Sequence, residues 1–234
     1  MKNWNHLEEA FAQLNRECSY LILRNFEGFF ETLLWKEHED IDILCASKKD
    51  RNIMIHILDA KPRLGKDNGI HYKFTYRGKE IPLDIRTVGD GYYDRKWEKR
   101  MLESRFLFPS GFYTMNQENY YYSLIYHAVY QKEKVSEEYL ERLRTMNPVM
   151  RAAEQTDFEK ALLQFMNDHH YKYTIPYDSY VPARFRELPD AAWICYPAEV
   201  RLRHMAEKGW LYLSGKTNGA KLRLKRLIKR RKGQ

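Results

Sequence analysis

Apolar residues first recur at helical spacing, at Leu7, Ala10, Phe11 and Leu14, which predicts a helix over residues 5–17. Tyr20-Leu21-Ile22-Leu23 follows as a short apolar run ending in Arg24-Asn25, the pattern of a buried strand. Residues 28–35 are ambiguous, and Lys36-Glu37-His38-Glu39 makes a polar break. Alternation then returns in Asp40-Ile41-Asp42-Ile43-Leu44-Cys45, which predicts a second strand. Residues 48–60 read as a helix, with Ile53, Ile55, Ile57 and Leu58 apolar. Residues 70–76 and 80–88 flank Arg77-Gly78-Lys79 and predict a hairpin. After Gly91 the pattern becomes helical, over residues 94–104, 117–132, 136–146 and 157–168, and Tyr122, Ile125, Tyr126 and Val129 form one stripe on the second of these. Residues 171–199, rich in Tyr and Pro, read as irregular connection. The predicted class is α+β: a small mixed or antiparallel sheet with helices, then a C-terminal helical region. The change falls between residues 90 and 115, which divides the chain into 1–105 and 106–234.

Asp40 and Asp42 are the most informative residues. In a strand, positions i and i+2 share a face, so the two carboxylates stand side by side, about 6–7 Å apart at Cα. Ile41, Ile43 and Cys45 take the other face. Like charges held this close repel unless a cation lies between them. Hard carboxylate oxygens suit Mg²⁺. A third acid fits the same geometry. In Ile81-Pro82-Leu83-Asp84-Ile85-Arg86, apolar residues alternate with Asp84 and Arg86. If this strand lies beside the first, Asp84 joins the pair, and three acids can hold two metals about 4 Å apart for in-line phosphoryl transfer. Pro82 predicts that the strand lies at an edge or begins there.

An apolar strand, a D-x-D strand and a later apolar-Asp-apolar strand together resemble the nucleotidyltransferase superfamily with the polymerase-β-type palm. The resemblance covers residues 19–90, with Asp40, Asp42 and Asp84 at the three acids. It implies a palm over residues 1–105, with Asp40, Asp42 and Asp84 as Mg²⁺ (or Mn²⁺) ligands and Asp84 as the base for an acceptor hydroxyl. The NTP is then a substrate, and pyrophosphate leaves. The family's Gly-Ser turn, which grips the triphosphate, is replaced here by Arg24-Asn25-Phe26-Glu27. Asn25 can supply a hydrogen bond in place of the Ser, and Arg24 a phosphate clamp. Arg86, on the face of Asp84, is a third phosphate contact or a salt-bridge partner of Asp84. Leu23-Arg24-Asn25 ahead of Glu39-Asp40-Ile41-Asp42 is similar to small nucleotidyltransferase-like proteins of bacterial surface-polysaccharide loci. That likeness implies a sugar or polyol phosphate, or a glycan precursor, as acceptor.

Composition alters this picture mainly at the end of the chain. The 234 residues are 44% hydrophobic and 31% charged, so a packed core is expected. No apolar run approaches the roughly 18 residues that span a bilayer. Met1-Lys2-Asn3-Trp4-Asn5-His6 lacks the apolar stretch of a secretory signal. Cys18, Cys45 and Cys195 are scattered, against both a disulfide framework and a cysteine zinc site. A cytoplasmic protein is expected. The net charge of +8 is uneven: residues 201–234 hold twelve Lys or Arg against Glu207 alone, a net +11, which leaves −3 for residues 1–200. Residues 221–232 mix Leu and Ile with dense positive charge. They suit an anionic membrane surface at the inner face, nucleic-acid phosphates, or docking on the acidic body. The alternative to an enzyme is therefore a catalytically degenerate palm that binds nucleic acid or membrane through this tail.

Other motifs carry less. Asp94 predicts a helix N-cap. His127 and the tyrosines 121, 122 and 126 are read as core or boundary residues ahead of substrate contacts. His169-His170 reads as surface. Ser214-Gly215-Lys216-Thr217 ends like a P-loop, but Trp210 stands where the earlier glycine is required.

Overall fold

A computed structural model describes residues 2–24, 26, 40–63, 69–132, 135–174 and 194–195. Asn25, the ambiguous 28–35 segment, the P-loop-like tetrapeptide and the basic 221–232 stretch lie outside the described residues.

The alternating and apolar runs build one mixed sheet. Its strands are β1 (Asn3–Trp4), β2 (Tyr20–Ile22), β3 (Ile41–Cys45), β4 (Lys61–Pro62), β5 (His71–Tyr76), β6 (Lys79–Thr87), β7 (Phe106–Leu107) and β8 (Tyr113–Thr114). The order is β1-β5-β6-β3-β2-β8-β7, with β4 also pairing β5. The pairs β3–β6, β1–β5 and β2–β8 are parallel; β2–β3, β5–β6, β4–β5 and β7–β8 are antiparallel. Every residue of β2 and β3 is buried, as expected for strands covered on both faces.

A two-residue loop sets the β5–β6 register. Arg77 and Gly78 both have positive φ, 47° and 76°, as a type I′ hairpin turn demands. Arg77 tolerates this conformation with its N–H on Trp4 O at 2.8 Å and its Nε–H on Asn5 O at 3.2 Å. Tyr76 then pairs with Lys79, and the pairing continues to His71 opposite Asp84.

Pro82 corrects one expectation. Strand β6 is interior, between β5 and β3, and begins at Lys79 rather than at the proline. What begins beside Pro82 is the β3 ladder, whose first pair is Ile41 with Leu83. The missing N–H therefore falls where β3 has not yet started, and it costs no ladder bond.

The helices are α1 (Leu7–Glu17), α2 (Lys48–Leu58), α3 (Arg95–Glu103), α4 (Gln117–Tyr130), α5 (Glu137–Met146) and α6 (Gln155–Asp168), with a 3₁₀ turn at Pro148–Met150. Leu7, Ala10, Phe11 and Leu14 give α1 its buried face. Ser47, Asp94, Asn116 and Ser136 cap the N-termini of α2, α3, α4 and α5 by accepting backbone N–H bonds. Asp94 is thus the N-cap that the sequence predicts. The short strands β9 (Tyr173–Thr174) and β10 (Ile194–Cys195) pair in parallel within the segment read as irregular.

One hydrophobic core runs from Trp4 to Tyr173, and the sheet and the helices α1–α6 share it. Trp97 is fully buried at its centre, stacked on Tyr171 at 5.6 Å and edge-on to Tyr93 and Tyr126. Its Nε1–H donates to Asn119 Oδ1 at 2.9 Å, which joins α3 to α4. Tyr126 is buried and its hydroxyl donates to Thr174 O, so the tyrosine stripe is core, and this role takes precedence over base stacking. Among the described residues no helix is long and apolar enough to cross a membrane. Cys18 and Cys45 are buried free thiols.

Candidate active site

Topology gathers the predicted acids at one place. The sheet lays β5, β6, β3 and β2 side by side, and one row crosses them: His71 on β5, Asp84 on β6, Asp42 on β3 and Arg24 just past β2. Asp42 and Asp84 are direct register partners on parallel strands, about 4.8 Å apart by the strand spacing. Leu23 N donates to Asp42 O at 2.8 Å, which extends the β2–β3 ladder and brings Arg24 to the acids. Asp40 lies one residue ahead of β3, half-buried, and its charge acts on Asp42.

Two carboxylates facing each other across a sheet are unfavourable without counter-charge. Each one here has a basic partner on its outer side. Arg24 Nη2 lies 2.7 Å from Asp42 Oδ2. His71 Nδ1 lies 2.6 Å from Asp84 Oδ1. The row therefore reads base, acid, acid, base. Arg24 and Arg86 are each only 3% exposed, so both act as fixed internal charges in this arrangement. Arg24 also donates to the hydroxyls of Tyr92 at 2.9 Å and Tyr93 at 3.3 Å. The Arg86 guanidinium lies 3.6 Å over the Tyr92 ring and 3.8 Å from Asp90 Oδ2. Arg86 and Asp84 share a face of β6, as the alternation predicts.

These surroundings push the two facing acids apart. Burial drives the Asp42 carboxyl above its ordinary range; Arg24 opposes this, while Asp40 and Asp84 add to it. For Asp84 burial is again the largest influence, but the hydrogen bond and charge of His71, with Arg86 and Arg63, outweigh it and hold the carboxyl below its ordinary range. Burial also works against the Arg24 charge, yet Asp42 prevails and the guanidinium holds its proton more tightly than usual. Asp84 is thus the carboxyl held ionised, and Asp42 the contact of a buried cation.

The segment 88–94 closes one side of the site, and sequence reasoning assigns it only a turn and a cap. Tyr92 is its centre. The Tyr92 hydroxyl lies 3.3 Å from His127 Nδ1 on α4, which in turn lies 3.0 Å from Gln131 Oε1. Gln131 Nε2–H donates back to Tyr92 O at 3.0 Å. Burial, then the charges of Arg24 and Lys132, keep the His127 imidazole neutral, well below its ordinary pKa. His127 is therefore a satisfied boundary residue that ties the helices to the acid row. Glu98, fully buried on α3, accepts from Gly89 N at 2.6 Å and Tyr93 N at 3.1 Å and so fixes both flanks of Tyr92. Burial and the nearby Asp90 raise its carboxyl well above the usual range. A glutamine amide has one acceptor oxygen for these two N–H groups, so Glu98→Gln leaves one of them unpaired and is expected to cost about 1–3 kcal/mol in urea unfolding. A larger loss would mean that Glu98 works as an ionised carboxylate.

A metal needs carboxylate oxygens that are not already engaged. Asp42 and Asp84 each hold a basic side chain instead, and no group of three or more His, Cys, Asp or Glu among the described residues is placed to hold a metal. As arranged, one oxygen of each facing acid is engaged by a basic side chain of the protein itself. Sequence reasoning missed His71 altogether, although the hairpin register carries the signal.

Comparison with known proteins adds a distant likeness. No family model matches the chain, and no curated protein matches it. Among solved structures the chain is similar to an antigenic nucleotidyltransferase-like protein from Paracoccidioides brasiliensis, at 14% identity and a TM-score of 0.40, over 81% of this chain and 91% of that one.

Proposed function

We propose that the protein is a nucleotidyltransferase that moves a nucleoside monophosphate from an NTP to an acceptor hydroxyl or phosphate. The observation that carries this reading is the register pairing of Asp42 with Asp84, two facing acids whose carboxyls are driven in opposite directions. In the proposed step with a hydroxyl acceptor, its proton passes to Asp84. Its oxygen bonds to the α-phosphorus, and the bond from that phosphorus to the bridging oxygen breaks, releasing pyrophosphate. Arg24 and Arg86 supply positive charge beneath the phosphates. The likeness of Leu23-Arg24-Asn25 ahead of Glu39-Asp40-Ile41-Asp42 to proteins of surface-polysaccharide loci extends the proposal to a sugar or polyol phosphate, or a glycan precursor, as acceptor.

The same row supports a second reading. Because both facing acids are already engaged by basic neighbours, the palm serves as a binding module and the basic tail leads the activity. Melting curves with each NTP, with and without Mg²⁺, separate the two. A ligand at about 100 times its Kd stabilises the fold by about 2.7 kcal/mol, a rise in Tm of roughly 5–10 °C. Under the first reading at least one NTP gives such a shift, and Asp84→Asn changes it. A shift that requires Mg²⁺ makes the metal part of the complex, whereas an equal shift without it assigns the counter-charge to the arginines. No shift with any NTP favours the second reading.

A further inference from the structure

We propose that His71 is a positioning residue for Asp84, holding one carboxylate oxygen so that the other faces the acceptor. The inference rests on the reading of Asp84 as the proton acceptor. Its first support is register. His71 and Asp84 are antiparallel partners, and the adjacent bond from Ile85 N to Ile70 O at 2.9 Å makes theirs a non-hydrogen-bonded pair. Side chains at such pairs stand closest across a sheet.

The second support is the contact itself. His71 Nδ1 lies 2.6 Å from Asp84 Oδ1, with both side chains almost wholly buried. An ionised carboxylate only accepts, so Nδ1 carries the proton and donates. That bond fixes the ring tautomer and the carboxylate plane together. Among the described residues it is the only hydrogen bond to the Asp84 side chain, so Oδ2 keeps its lone pairs for the hydroxyl to be deprotonated.

The third support is the contrast with Asp42, whose Oδ2 is held by Arg24 from the other end of the row. A guanidinium partner anchors a charge. A single imidazole N–H donor fixes the orientation of a carboxylate through one directed bond, the arrangement by which a hydrogen-bonded neighbour serves an acid–base group.

The test compares wild type, His71→Phe, His71→Asn and Asp84→Asn in pyrophosphate release from each NTP, with glycerol 3-phosphate and water as acceptor probes. Folding of each variant is checked by melting. The amide nitrogen of asparagine falls close to the position of Nδ1, so His71→Asn keeps the donor while His71→Phe removes it. Losing a partner that orients a functional group typically costs roughly 10–100-fold. The expected result is a fall in kcat of that size for His71→Phe, with KM changed by less than about threefold, and recovery to within about threefold of wild type for His71→Asn. Folded His71→Phe with wild-type kcat overturns the proposal while Asp84 stands as the base. Equal losses in His71→Phe and His71→Asn also overturn it, because the donor is then not what matters. A wild type that releases no pyrophosphate, or an Asp84→Asn variant as active as wild type, overturns the nucleotidyltransferase reading itself and this inference with it.

Discussion

Asp42→Ala is expected to lower the unfolding free energy by about 3–5 kcal/mol, the usual cost of removing one partner of a buried ion pair. The reason is what remains. Arg24 is 3% exposed and keeps only uncharged contacts among those described, the hydroxyls of Tyr92 and Tyr93 and the Tyr92 ring, so no anion offsets its charge in the interior. Urea unfolding at pH 7 measures the loss. The double variant Arg24→Met with Asp42→Leu is expected to recover much of it, because an apolar pair of similar volume leaves no charge behind. A loss below about 1 kcal/mol for the single variant would show that water reaches the guanidinium and that the pair is not an interior one.

Asp84→Asn is expected to do the opposite: leave the fold nearly intact and remove the chemistry. The asparagine carbonyl can still accept from His71 Nδ1, so the sheet contact survives and stability changes by about 1 kcal/mol or less. The variant no longer takes a proton, and positioned general-base catalysis contributes roughly 10²–10⁴-fold. Pyrophosphate release is expected to fall by that factor. Steady-state assays with the NTP that raises the melting temperature measure it. Unchanged turnover in a folded variant would move the proton-accepting role elsewhere.

Much of the fold was legible because the periodicities are strong. The α1 stripe, the β3 alternation, the hairpin and the helices after Gly91 all follow from local pattern, to within about two residues at their ends. The two-residue strands β1, β7 and β8 were not legible, since two residues define no period and their pairing is set by distant partners. At the site, Asp42 and Asp84 were found from alternation, and topology then placed them in register. Their partners were harder to see. Arg24 reads as a phosphate clamp because sequence shows its charge but not its burial. His71 was within reach. With Arg77-Gly78 as the two-residue turn, counting back five residues on each arm from the Tyr76–Lys79 pair lands on His71 and Asp84. Tyr92 and Glu98 leave no such trace, because their roles depend on where a loop returns.

The Tyr92 crossing bears on how such a site can change over time. One aromatic ring lies over Arg86, its hydroxyl accepts from Arg24 and contacts His127, and its carbonyl is held from α4 by Gln131. Strand and helix residues are therefore not free to vary independently. A helical half borrowed from another protein would have to bring its own equivalents of His127 and Gln131, or the loop would lose its hold on both arginines. Divergence toward new acceptors is correspondingly easier on surfaces that do not touch residues 88–94. Transplanting the acid row alone into another sheet would carry its charges without the ring that keeps them in place.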